Sequence, residues 1–442
     1  METTASLSAE QLRACRAAYE TNPVSRVATR AASKHSVEDI CYNTASAAKM
    51  NHKFSVEVPT LPATNQKASG RCWIFASLNL LREKIARDLY LDAFELSQNY
   101  ISFYDHLEKA NTFLENILDT AADPLDDRYL SRLLTMPVGD GGWWEYFVGL
   151  CNKYGVVPKE AMPETYQSEH SEDMNLLLNM QLRRDARELR KAAAAGTDRE
   201  ALRAEKGRML CRVYNLLAIC LGNPPEQFDF EYVDKDGAYH ADRGLQPQAF
   251  YAKYIGRNLD HIVSILNAPT DTVPYYKTYY TKGEESLCGC YQAKRLNLPM
   301  DEFKAAVIRQ LQDGDLVWFV CDCDYYGNRK EGVWDTELYN YEEAFGLALD
   351  MDKGALLDYR QCSLNHAMLL TGVNLVDGKP DKWKIQNSWG DENGDKGYFI
   401  MSDAWFDRYV FTASIDKKYL TQAQQAQFAQ EPVVMPIWNI LA

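Results

Sequence analysis

The chain is poor in the features on which several protein classes depend. No apolar stretch approaches the roughly 20 residues that a membrane-spanning helix needs. The longest, around Val213 to Leu221, is short and broken by Asn215. There is no Asn-x-Ser/Thr sequon, and the opening METTASLSAE lacks the charged start and apolar core of a secretion signal. No His-Glu-x-x-His, phosphate-loop or dinucleotide fingerprint occurs. Positive charge is in deficit: 48 Lys+Arg against 62 Asp+Glu leaves a net −14, so the nucleic-acid backbone is not expected as the main partner. Gly (24) and Pro (16) are at ordinary levels, which excludes collagen-like and low-complexity chains. The 11 Cys are odd in number and irregularly spaced, as expected of free thiols in a reducing, cytoplasmic setting.

Against these absences stand 442 residues, enough for two or three domains at about 150 each. The 9 Trp, 27 Tyr and 16 Phe imply large packed or ligand-contacting aromatic surfaces. Residues 1–50 read as a short helix at Ser8 to Glu20 followed by an extended N-terminal arm. Residues 51–71 read as loop. From Cys72 a helix is expected, with Ile74, Leu78, Leu81, Ile85 and Leu89 forming an apolar stripe and Arg82, Glu83, Arg87 and Asp88 covering the other face. Helical pattern continues over 94–118. The segments 139–146 and 155–163 read as loops. Residues 172–221 are dense in helix formers and interrupted at Gly196-Thr197, which predicts a helical hairpin. Phe228–Tyr232 and Gly237–His240 predict a small strand pair. After a helix at 301–312, five short β-rich runs at 316–323, 366–373, 383–386, 397–401 and 409–415 predict a sheet. Helices first and strands later point to an α+β fold with two lobes. The tail 421–442 ends apolar, with Trp438, and is expected to dock.

The segment Asn65-Gln-Lys-Ala-Ser-Gly-Arg-Cys-Trp-Ile-Phe-Ala76 carries the most chemistry. Cys72 sits at the first turn of a helix, where the helix dipole is expected to lower a thiol pKa. A thiolate nucleophile also needs a base and an oxyanion donor. Gln66 lies on the loop feeding the helix, His366 opens an apolar strand, and Asn387 follows 21 residues later in Gln386-Asn-Ser-Trp-Gly390. Asn387 could orient the imidazole while Trp389 shields that hydrogen bond from water. Taken singly, Cys72 could be a buried hydrophobe, His366 a core histidine, Asn387 a turn residue and Gln66 a solvated amide.

Gln-x5-Cys-Trp, then Asn-His-Ala, then Asn-Ser-Trp-Gly resembles the papain superfamily of cysteine peptidases. The flanks GRCWIFA, DGGWW, KYGVVPK and WKIQNSWGDENGDKGYFIMSD resemble its bleomycin hydrolase/aminopeptidase C branch, from about residue 10 to the C-terminus. The resemblance implies a papain-like two-lobed α+β fold with large helical insertions. It places the helical lobe in 51–171, an inserted hairpin and strand pair in 172–240, a helical insertion in 241–300, the sheet lobe in 301–420 and a C-terminal arm in 421–442. It implies Cys72 as nucleophile, His366 as base and acid, Asn387 as orienter and Gln66 as oxyanion donor. It also implies a homohexamer. The arm would lie in the cleft, with the terminal carboxylate of Ala442 or Leu441 meeting the free amine of a peptide substrate. No cofactor or metal is implied. Ser69 stands where secreted relatives carry a paired Cys, and Asn439 where relatives usually have Asp. An endopeptidase or acyl transferase with the same triad, or a nucleic-acid-binding scaffold hexamer, are the rival readings.

Two Cys-x-Cys pairs, Cys288/Cys290 and Cys321/Cys323, have shorter spacing than most structural zinc sites and read as ordinary thiols. Asp391 to Asp395 lacks the glycine position and final Glu of a calcium loop and reads as a turn.

Overall fold

A computed structural model describes residues 6–256, 259–283, 285, 287–289 and 293–441. Two large hydrophobic clusters and a small one around Cys41 and Leu338 organise them. One gathers the helices Cys72–Asp88, Gln98–Asp119, Trp144–Tyr154 and the hairpin Glu172–Ala194/Arg199–Leu221. The other fills the sheet lobe around Trp383, Phe399, Trp405 and Phe411.

Among the described residues the main sheet has 12 strands. Its centre runs Ile262–Leu266, Val410–Asp416, Val317–Cys321, His366–Val376, Lys379–Gln386 and Tyr398–Ser402, each pair antiparallel. Val56–Glu57 adds to the His366–Val376 strand, so the loop before Cys72 is stitched to the opposite lobe. The middle strands are almost continuously buried, which explains their apolar runs without clean alternation.

The hairpin forms where the sequence predicts it, because each arm combines strong helix formers with a periodic apolar face; Met174, Leu178, Leu182 and Leu189 are buried on one arm and Met209, Val213 and Leu217 on the other. Glu115 on the Gln98–Asp119 helix anchors it through Arg199, Arg203 and Lys206. The strand pair is Phe228–Val233 with Tyr239–Leu245.

Three expectations need correction. The stretch after residue 21 is not an extended arm: Pro23–Ala32, Val37–Cys41 and Thr44–Ala47 are helices, each started by a side-chain cap from Asn22, Ser36 or Asn43. Residues 241–300 are not a helical insertion. They supply Ile262–Leu266, Thr278–Thr281 and Arg295–Asn297 to the main sheet, short strands buried along almost their whole length, so their sequences carry no alternation. The Cys72–Asp88 helix is buried on most of its circumference, Arg82 included. Arg82 is no solvent-face residue: it donates to the carbonyls of Leu61 (3.2 Å) and Pro62 (2.5 Å), while Glu83 accepts the Leu61 amide.

Candidate active site

Cys72 is the first residue of its helix, and His366 is the first residue of the strand facing it. The helix packs on that strand, and the Ala367 amide donates to Cys72 Sγ at 3.5 Å. Both side chains line one cavity of about 560 Å³, together with Gln66, Gly141, Trp143 and Ile437.

The orientation of Asn387 is fixed by its own chain. The Ser388 amide, which can only donate, meets Asn387 Oδ1 at 2.8 Å, so that atom is the oxygen. His366 Nε2 lies 2.9 Å from the same oxygen and must therefore donate to it. The neutral ring is left with its lone pair on Nδ1. Trp389 stacks on the imidazole at 4.7 Å, and Arg329 covers Trp389 at 4.4 Å.

Gln66 is buried and held twice. Its amide N–H donates to the Ser388 carbonyl at 2.8 Å, and its Oε1 accepts from Ser388 Oγ at 2.6 Å. With the oxygen so engaged, Nε2 becomes the donor end; it contacts the Ser69 carbonyl at 2.6 Å. The structure thus brings Cys72, His366, Asn387 and Gln66 to one cleft.

Burial dominates the electrostatics. It pushes the Cys72 thiol up, against the amides of Ala367 and Trp73, so the lowered thiol expected from the helix terminus is corrected in direction. Burial also pushes His366 down to about 4, opposed by the bond to Asn387 and reinforced by Arg329. Taken one at a time, both groups are neutral.

The C-terminal segment is docked in detail. Val433–Met435 pairs with Thr278–Thr281. Arg128 covers the Trp438 ring at 4.4 Å, and Arg360 donates to the carbonyls of Trp438 (3.0 Å) and Asn439 (2.6 Å). Asn439 donates to Thr281 Oγ1 (3.0 Å) and the Pro436 carbonyl (2.7 Å) while accepting the Leu441 amide (2.6 Å). A carboxylate at 439 could not donate to the Pro436 carbonyl, so the Asn changes how the arm is tied. Ile437 lines the cavity, whereas Leu441 is buried against the sheet-lobe cluster and does not line it. Ala442 lies outside the described residues.

Cys321 is buried in the sheet lobe, Cys323 is partly buried against the same cluster, and Cys290 lies outside the described residues. Among the described residues no group of three or more His, Cys, Asp or Glu is placed to hold a metal ion. Nor is any helix among them long and apolar enough to cross a membrane. Sequence reasoning missed Ser388, which orients Gln66, and Asp140, read only as part of a Gly-rich loop.

A helical lobe presenting a cysteine to a sheet lobe that presents a histidine and its asparagine defines the class: a papain-like cysteine peptidase fold. The model of the Peptidase C1-like family matches residues 6–442. Aminopeptidase C of Lactobacillus delbrueckii subsp. lactis is 41% identical over 421 residues, covering 95% of this chain and 94% of that protein. Aminopeptidase C of Listeria innocua is 42% identical over 430 residues, covering 97% of each. The crystal structure of PepW from Lactobacillus rhamnosis HN001 superposes with a TM-score of 0.98 at 43% identity, covering 99% of each chain. The chain belongs to the Peptidase C1-like family, in the bleomycin hydrolase/aminopeptidase C branch of the papain-like peptidases, and is a cysteine-type aminopeptidase.

Proposed function

We propose that the protein removes N-terminal residues from peptides through a Cys72–His366–Asn387 mechanism, working in the cytoplasm as a homohexamer. The observation that carries the chemistry is the shared cleft: the Ala367 amide on Cys72 Sγ, and the His366 ring held by Asn387 so that Nδ1 is free to act as base. His366 takes the thiol proton as Sγ attacks the first peptide carbonyl. Gln66 Nε2 and the Cys72 amide hold the oxyanion. The carbon–nitrogen bond breaks as His366 returns the proton to the leaving amine. Water, deprotonated by His366, then attacks the thioester, and the proton returns to sulfur as the acid leaves.

The arm accounts for the restriction to free N-termini. Ile437 occupies part of the cavity wall, and Arg128 and Arg360 hold the segment behind it. A substrate chain extending N-terminally past the residue to be removed has little room there, whereas a terminal amine fits. Two experiments test this reading. Cys72→Ala should abolish cleavage, and retained activity overturns the nucleophile assignment. Deleting residues 439–442 should let N-blocked peptides be cut; unchanged selectivity for free amines, or loss of all cleavage without that switch, contradicts the role of the arm.

A further inference from the structure

The geometry points to Asp140 as the residue that positions the oxyanion loop, with His106 as its buried cationic partner. The inference deepens the proposed mechanism and rests on Gln66 and the Cys72 amide being the oxyanion donors.

Asp140 is 10% exposed and lies between three elements. Its Oδ2 accepts the Gly70 amide at 2.8 Å and Ser171 Oγ at 2.5 Å. Its Oδ1 accepts Asn175 Nδ2 at 2.7 Å and His106 Nε2 at 3.1 Å. Four donors converge on two oxygens, which only an ionised carboxylate satisfies. The Asp140 main-chain carbonyl also accepts Trp73 Nε1 at 2.6 Å. One residue therefore grips the chain on both sides of Cys72, at Gly70 and at Trp73.

The fit leaves no slack. A Cβ on Gly70 would meet Asp140 Cβ at 2.8 Å, and one on Gly142 would lie 2.6 Å from the Trp73 ring. Lys109 pins the flanking carbonyls of Gly139 (2.9 Å) and Gly141 (2.5 Å). The turn from Gln66 to Cys72 is thus set against the helical lobe by Asp140, just as Ser388 sets Gln66 against the sheet lobe.

His106 is the charged half of the pair by geometry. Its Nδ1 faces the Ser102 carbonyl at 2.7 Å, and its Nε2 faces Asp140 Oδ1 and, at 3.0 Å, Asn175 Oδ1. Asn175 Nδ2 is committed to Asp140, so its oxygen is the atom turned to the ring. All three partners are acceptors, which calls for protons on both ring nitrogens. Burial alone would lower His106, but Asp140 raises it; burial would raise Asp140, but His106, Ser171 and Asn175 hold it well below the usual carboxylate range.

The test separates oxyanion stabilisation from thiol reactivity and from folding. Iodoacetamide alkylates a thiolate by displacement and forms no oxyanion, so its rate reports Cys72 and His366 without the oxyanion hole. In Asp140→Asn the amide turns an N–H₂ toward two donors. For a free-amine aminoacyl fluorophore kcat should fall about 10- to 100-fold, short of the about 100- to 1,000-fold that outright loss of an oxyanion donor costs. KM and the alkylation rate should stay within about threefold of wild type. Asn175→Ala removes one donor and keeps three; it serves if the first variant does not fold, with kcat falling about tenfold while the alkylation rate stays within about twofold. Equal losses in kcat and alkylation would mean a general structural role and overturn the inference. A variant matching an active wild type overturns the inference alone. A wild type without thiol-dependent cleavage overturns the mechanism and this inference with it.

Discussion

Oδ1 of Asn387 is one atom on which the placement of the His366 ring depends. It accepts from the Ser388 amide and from His366 Nε2, and so fixes tautomer and ring angle together. The Asn387 Nδ2 is buried with no partner among the described residues, so the amide is held from its oxygen end only. Replacing Asn387 by Ala leaves His366 Nε2 without its acceptor and the ring free to turn under Trp389. We expect kcat to fall about 10- to 100-fold with the fold intact, as measured by steady-state kinetics beside circular dichroism. A variant within twofold of wild type would show that stacking on Trp389 alone positions the ring. At this scale the sequence was informative where residue type and spacing carry chemistry: Cys72, His366, Asn387 and Gln66 all meet in one cleft. It was silent on Asp140 and Ser388, whose work is hydrogen bonding between segments far apart in the chain. Nothing local in GDGG distinguishes an anchoring Asp from a turn Asp. The thiol shift was misjudged because a helix terminus is visible in sequence and the depth of burial is not.

Among the elements, the hairpin Glu172–Ala194/Arg199–Leu221 is held by packing and by one charged knot. Glu115 is 14% exposed and meets Arg199, Arg203 and Lys206. Burial would raise its carboxyl, but the hydrogen bonds from Arg203 and Lys206 override that and hold it at about 2. A depressed carboxyl adds stability that is fully present above its unfolded value, about 4.3, and is lost as pH falls through the folded value. Glu115→Gln should therefore destabilise the protein by about 1–2 kcal/mol at pH 7, a figure between exposed and buried pairs. The gap between the two melting curves should close between pH 4.5 and 2. A gap constant over that window would contradict the ion-pair origin. Long periodic helices were readable because many residues vote for one face. Short ones were not: the three helices between Pro23 and Ala47 have 4 to 10 residues, and only the capping residues Asn22, Ser36 and Asn43 announce them. The strands in 262–297 were hidden because short buried strands lack alternation.

Over the whole molecule, the two lobes meet where the Cys72–Asp88 helix packs on the His366–Val376 strand and where Trp318, Val320, Ala367 and Leu369 of the sheet join the helical cluster. The loop 56–66 crosses from the sheet lobe to the helical lobe, pairing at Val56–Glu57 and again where Gln66 meets Ser388, before Cys72 begins its helix. This routing brings Cys72 and His366 to one cavity although 294 residues separate them in the chain. The chain's last segment adds Ile437 to the cavity wall, with the Trp438 ring covered by Arg128 and its main-chain carbonyl held by Arg360. The two-lobed class was legible because strand-rich runs follow helix-rich ones. The arm's docking was not, since it depends on Arg128, Arg360 and Thr281, none of which stands out locally. The central claim joins the thiol chemistry to the arm's restriction. It is tested most directly by one paired rate assay: an aminoacyl fluorophore with a free amine and the same compound with its amine blocked, each with and without a thiol alkylator. The account predicts cleavage of the free-amine compound only, abolished by the alkylator. Cleavage of both compounds, or cleavage that survives alkylation, would contradict it.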